Sequence, residues 1–251
     1  MLFRSLMAIG AAIIAFAGYG SAAFIGSFYF RNHAVEAAAA AKTFGLGTAG
    51  FLGLALGIIG GIAGILGSYL GGVLGDRLGK KGPQGQMTLV SIAAIAGAPF
   101  YIAGMLSPSM VTAMTLLAIP TFLNSMWYGP IYGSVQGLVR PQTRATAAAV
   151  ILFIINLIGL GFGPPFVGWL ADVMTNRAFA THSLGDFKAA CAAAAQPGAA
   201  ADLVAACGTS NFEGVKWAIL ITAVVFYAWA GLHYVYAARF VKRDLEAGPV
   251  S

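Results

Sequence analysis

Four polar side chains recur at four-residue spacing within one long apolar stretch of the chain: Asn124, Tyr128, Tyr132 and Gln136. This spacing places them along one slowly turning face of a helix, where their chemistry is hydrogen bonding. Polar groups in such apolar surroundings normally face a bundle interior or a water-filled cavity. We therefore expect Asn124 and Tyr128 to line a cavity, with Tyr132 as a further candidate. The alternative is helix-to-helix hydrogen bonding, with Tyr132 and Gln136 in an interfacial aromatic belt.

No residue pattern in the chain predicts catalysis or a bound cofactor. The sequence has no phosphate-binding glycine loop, no dinucleotide fingerprint after a strand, no HExxH and no GxSxG. His33 and His182 have no second metal ligand at useful spacing. We therefore expect no metal, no cofactor and no enzymatic activity.

The composition indicates a chain that lies in a lipid bilayer. Of its residues, 59% are hydrophobic and 9% are charged, whereas soluble proteins have about 25% charged residues. The formal net charge of +6 does not indicate nucleic-acid binding. Lysine and arginine occur singly at the ends of apolar runs and never form a stripe.

Six apolar segments are each long enough to cross the bilayer: residues 5–30, 46–75, 87–106, 111–138, 145–174 and 215–240. Lipid cannot satisfy exposed backbone groups, and the runs do not alternate as barrel strands do, so each crossing should be a helix. We expect one all-α membrane domain over residues 1–251, with an extramembrane loop at 175–212. A cleaved signal peptide is disfavoured because the first apolar run is too long.

The positive charges predict that both termini are cytoplasmic. In that orientation nine of the fourteen lysine and arginine residues lie inside, and five lie outside: Arg31, Lys42, Arg177, Lys188 and Lys216. We therefore expect a multi-pass protein of the inner or plasma membrane.

A short motif that occurs twice in the sequence suggests two inverted three-helix repeats. Residues 72–76 read GVLGD and residues 168–172 read GWLAD, at the ends of the second and fifth segments and hence on opposite sides of the membrane. Inverted repeats of this kind are common in secondary transporters. In so glycine-rich a chain, coincidence is the alternative.

The loop after the second segment carries a known signature. Residues 72–81 read GVLGDRLGKK, which resembles the G-x-L-a-D-R-x-G-(R/K)-(R/K) loop of the major facilitator superfamily. Residues 140–147 (RPQTRATA), with 156–165 (NLIGLGFGPP) and 168–172, look like the C-terminal half of Spinster-type members.

This resemblance implies a wider architecture and further pathway residues. Members have twelve helices in two bundles, so the chain looks like the C-terminal bundle alone. The missing partner is then an N-terminal bundle or a second copy of the chain. The resemblance also implies that the first and fourth helices line the central pathway, which adds Tyr19. Asn156 in the fifth helix is a further candidate, with a helix contact as the alternative.

The same resemblance implies a gate at the cytoplasmic side. Loop carboxylates of the superfamily engage a neighbouring helix when that side is closed. Asp76, beside Arg77, is expected to pair with Arg140, or with Arg144 as second choice. A static salt bridge that staples the loop is the alternative.

The second helix repeats glycine at three- or four-residue spacing, at positions 53, 57, 61, 64, 67, 71 and 75. Such a seam lets neighbouring helices pack closely, although it could also admit a lipid tail. The middle of the six spans holds no Asp, Glu, Lys, Arg or His. If transport is proton-driven, the titratable group is then expected in the absent half.

The long loop contains the chain's two cysteines, Cys191 and Cys207. By the charge count they face the oxidising side, so a disulfide between them is favoured over free thiols.

Together these features predict half of a secondary transporter. It would move a small organic or amphipathic solute, which the Spinster resemblance suggests could be lysolipid-like, by alternating access. The alternative is a six-helix scaffold without transport, or a truncated remnant of a transporter.

Overall fold

A computed structural model of the chain describes residues 2–80, 82, 84–137 and 139–246, with side chains described between residues 6 and 239. Lys81 and Leu138, and the side chains of Arg4, Lys242 and Arg243, therefore lie outside the described residues.

Helices make up almost all of the described chain. In chain order they are α1 (Leu2–Asn32), α2 (Ala34–Thr43), α3 (Thr48–Gly79), α4 (Gln84–Met105), α5 (Met110–Asn124), α6 (Tyr128–Gly137), α7 (Arg144–Ala180), α8 (Phe187–Ala194) and α9 (Ala201–Glu246). Six helical segments in the described part are long and apolar enough to cross a membrane, and α5 and α6 together make the fourth. The all-α, six-span architecture expected from the sequence is confirmed.

The fourth span is broken at residues 125–127 because a proline follows the break. Pro130 has no N–H to give to the carbonyl of Met126, and its ring would clash with that carbonyl in a continuous helix. The chain instead tightens, with Met126 N–H bonded to the carbonyl of Leu123 at 3.1 Å. Ser68 of α3 donates to the carbonyl of Ser125 at 3.4 Å.

Helical structure also lies outside the apolar segments that the sequence marks off. The alanine-rich stretch after α1 forms α2, as its helix propensity favours. The helices on either side of the long loop also extend into it, to Ala180 and from Ala201. Phe179 at the end of α7 is buried against Ala206 and Cys207 of α9, which stabilises these extensions.

The pattern of helix contacts has an internal symmetry. α1 packs on α7 and α9, as the fourth span packs on α3 and α4, and α4 packs on α9 at the centre. Exchanging the first three spans with the last three maps the contacts of α1 onto those of the fourth span and the α4–α9 contact onto itself, as expected for two inverted three-helix repeats.

Candidate functional site

A cavity of about 360 Å³ opens between α1, α3, α4, α5, α6 and α9. Its aromatic and polar lining comes from α1, α4, α9 and the broken fourth span: Tyr19, Tyr29, Tyr101, Thr121, Asn124, Ser125, Trp127, Tyr128 and Tyr227. Leu56, Ile59 and Met114 add apolar surface. No Asp, Glu, Lys, Arg or His is among the described residues that line it.

Asn124 is positioned by the break in the fourth span. It is the last residue of α5, directly before the irregular turn. Pro120 and Asn124 also lie against Gly97 of α4, where a Cβ would be 3.2 Å from the Asn124 amide nitrogen. The side-chain Oδ1 of Asn124 is buried and accepts no hydrogen bond from any described residue. A buried amide oxygen of this kind normally has a partner, and a hydrogen-bond donor on a solute would supply one.

Aromatic rings form most of the remaining cavity wall. The rings of Trp127 and Tyr128 stack with 4.2 Å between centroids, and those of Tyr101 and Tyr227 lie 6.3 Å apart. Tyr19 on α1 lies close enough to Tyr128 for the two side chains to interact. The wall therefore offers flat apolar faces with phenolic hydroxyl groups, which suits an apolar or aromatic body and, through the ring faces, a cation.

The glycine seam of α3 holds the broken span in place. A Cβ at Gly67 would be 2.2 Å from the carbonyl oxygen of Phe122, and one at Gly71 would be 2.3 Å from that of Met126. Glycine at these positions lets the two backbones touch. Gly53, Gly57 and Gly61, nearer the start of α3, have no neighbour within 4 Å among the described residues.

Three of the residues singled out from the sequence therefore meet at the cavity: Tyr19, Asn124 and Tyr128. Tyr132 instead packs on the core beside Trp127, with ring centroids 6.4 Å apart. Asn156 is also outside the cavity lining, and its amide donates to the carbonyl of Leu152 on its own helix at 2.8 Å.

Four of the aromatic lining residues were not predicted: Tyr29, Tyr101, Trp127 and Tyr227. Three of them are tyrosines within apolar spans. Because a tyrosine hydroxyl needs a hydrogen-bond partner inside a membrane, this residue type could have identified them as candidates.

The candidate gate residues lie at the exposed C-terminal end of α3 and in the segment that follows α6. Asp76, Arg77, Arg140 and Arg144 are all exposed. No ion pair joins Asp76 to Arg140 or Arg144 among the described residues.

Cys191 on α8 and Cys207 on α9 are joined by a disulfide, with Cα atoms 5.7 Å apart. It ties the short helix of the long loop to the last span.

Comparisons with known proteins place this architecture among transporters. No family model matches the chain. An MFS-type efflux pump of Mycolicibacterium smegmatis is 27% identical over 171 residues, which are 68% of this chain and 37% of the pump. Two crystal structures of a bacterial homologue of the human lysosomal transporter Spinster, inward-facing and either unoccupied or occupied, match with TM-scores of 0.77 and 0.76. They are 25% and 26% identical and cover 97% and 96% of this chain. The chain spans 49% and 50% of their length.

Proposed function

We propose that this chain, which is similar to one half of Spinster-type transporters of the major facilitator superfamily, forms one wall of a solute pathway that works by alternating access. The observation that carries this proposal is the cavity, which brings Asn124 and several tyrosines together in the middle of an apolar bundle. The known relatives are transporters, which agrees with a protein that is not an enzyme.

The pathway requires a second six-helix bundle, which is either an N-terminal half or a second copy of this chain. Support comes from the large apolar faces that α3 and α7 leave uncovered. Ile65 on α3 is 71% exposed and Phe153 on α7 is 65% exposed. Tyr128 in the cavity wall is also 39% exposed in the single bundle, and a second bundle would cover it.

The solute in this proposal is a small organic or amphipathic molecule. The wall that this half contributes has no charged side chain among its described residues and is mostly aromatic, which favours an apolar body with a neutral or cationic hydrogen-bonding group. A lysolipid-like molecule is one member of this class.

The proposed location is the inner or plasma membrane, with both termini and residues 76–81 on the cytoplasmic side. The lysine and arginine distribution supports this orientation. The chain is multi-pass, and its six spans cross the lipid bilayer.

The test of the proposal compares two asparagines within the spans. Asn124→Leu removes the unpartnered amide in the cavity, while Asn156→Leu removes an amide bonded to its own helix. In proteoliposomes with the complete assembly, we expect Asn124→Leu to lower transport at least tenfold per folded molecule, since one lost hydrogen bond of about 1.4 kcal/mol in a desolvated site has this effect. Asn156→Leu should retain most activity.

Equal effects of the two substitutions would contradict the role of the cavity. A complete assembly that binds no solute and moves none would favour a scaffold without transport.

A further inference from the structure

A buried histidine directly follows α1, at the end of the bundle opposite the Asp76 loop. His33 connects α1 to α2 and is 5% exposed. The rings of Phe28 and Tyr29 each lie with their centroids 5.6 Å from that of the imidazole. His33 is therefore enclosed by protein.

One carboxylate connects this histidine to the broken fourth span. Oε2 of Glu36 on α2 lies 3.6 Å from Nδ1 of His33. The same oxygen accepts the backbone N–H of Met110, which is the first residue of α5. α5 ends at Asn124 in the cavity. A change in the position of Glu36 therefore acts directly on the helix that carries Asn124.

The surroundings of His33 contain spare hydrogen-bonding capacity. Nε2 of His33, the hydroxyl of Tyr29 and Oδ1 of Asn32 are all buried, and none has a hydrogen-bond partner among the described residues. Residues 29, 32 and 33 lie on one face of the helix end, since they are three and four apart. With the ring proton on Nδ1, Nε2 has a free lone pair. Oδ1 of Asn32 and the Tyr29 oxygen can accept a second ring proton.

Burial lowers the pKa of His33, and the Glu36 carboxylate opposes this shift. Arg31 on α1 and Lys216 on α9 are engaged with other groups. Arg31 donates to the carbonyl of Asn211, and Lys216 pairs with Glu213 on α9 at 2.6 Å. The first turns of α3 and α5 contain no charged residue. Among the described groups, Glu36 is thus the charged partner of His33.

We propose that His33 is a proton-binding site, coupled to the cavity through Glu36 and α5 on one side and through Tyr29 on the other. In the neutral state, Glu36 holds the N-terminus of α5. A proton from the adjacent aqueous phase adds to Nε2, and the imidazolium draws the Glu36 carboxylate away from Met110. Tyr29 contacts the imidazole and lines the cavity. Proton binding and solute binding therefore influence each other reciprocally. This coupling rests on the proposed transport function, whereas the proton site itself does not.

The first test measures the titration of His33 directly. The full chain is labelled with ¹³C-histidine in lipid nanodiscs, and the His33 resonance is assigned by its loss in His33→Gln. We expect an apparent pKa below the ordinary value of about 6.5. Glu36→Gln should lower it further, because the carboxylate favours the charged imidazole. His182→Gln, a matched change at an exposed position of the long loop, should leave it unchanged. An ordinary pKa that does not respond to Glu36→Gln would overturn the site.

The second test measures transport as a function of pH in the complete assembly. We expect the wild-type rate to change as the pH falls below about 6.5, and His33→Gln to flatten this profile while transport continues. An identical pH profile in His33→Gln would overturn the coupling but leave the transport function intact. If the wild-type assembly moves no solute, the transport function fails, and the titration still decides whether His33 binds a proton. If His33→Gln does not fold, Glu36→Gln serves in both tests.

Discussion

Gly71 is one of the residues at which the bundle leaves almost no space for a side chain. Its missing Cβ would lie 2.3 Å from the carbonyl oxygen of Met126, a backbone atom that cannot move without shifting the break in the fourth span. We expect Gly71→Ala to lower the free energy of unfolding by about 1–3 kcal/mol, as overpacking does. Thermal unfolding in detergent measures this, with Gly61→Ala as the control because position 61 has no described neighbour within 4 Å. Equal shifts for the two variants would show that the contact is not tight.

Individual residues also mark the limit of what the sequence could predict. Asn124 and Asn156 are the same residue type within apolar spans, yet one lines the cavity and the other bonds to its own helix. Residue type and depth could not separate them, because the rotation of each helix depends on its neighbours. Tyr101 and Tyr227 were missed for the same reason, since their partners come from other helices.

At the scale of helices, the local signals in the sequence were stronger. Pro120 and Pro130 lie on either side of Asn124, and prolines inside a helix favour a bend. The chain is broken between them, next to Pro130. The glycine repeat predicted close packing, which the structure has along Gly67, Gly71 and Gly75 but not along the first half of α3. The part that could not be predicted is the register between helices. It depends on backbone contacts such as Gly72 against Gly129.

The loop after α3 is the helix-scale candidate for a gate. Asp76 is exposed and has no described ion pair with Arg140. We propose that this arrangement is the released state of the gate. We expect Asp76→Asn to favour the cytoplasm-open state, because it removes the charge that would hold Arg140 in the closed one. A cysteine at Gln136 should then react faster with a maleimide, while thermal stability stays nearly unchanged.

The control for this gate is Asp172→Asn. Asp172 ends the second copy of the repeated motif, at residues 168–172, near the other end of the bundle. This change should not increase the reactivity of a cysteine at position 136. If Asp76→Asn greatly lowers thermal stability but does not change the reactivity at position 136, Asp76 is part of a static salt bridge that staples the loop, and the gate is contradicted.

For the whole molecule, composition and hydropathy were sufficient to predict six membrane-spanning helices, because a bilayer permits few other solutions. The assembly depends instead on faces that one chain leaves open. α3 and α7 are the least buried of the described spans, and their large apolar side chains require either lipid or a second bundle. In the proposed pathway, a second bundle covers these faces.

The most direct test of a solute pathway through the cavity is the reactivity of a single cysteine placed in the cavity wall. Asn124→Cys is expressed in the complete assembly, where the native Cys191–Cys207 disulfide does not react with maleimide. A maleimide needs an ionised thiol in water, so alternating access predicts that position 124 is labelled by an impermeant reagent applied from either side of the membrane. Val225→Cys, exposed on the outer surface of α9, should remain unlabelled in lipid. A cysteine at position 124 that is as unreactive as one at position 225 would contradict a solute pathway through this cavity.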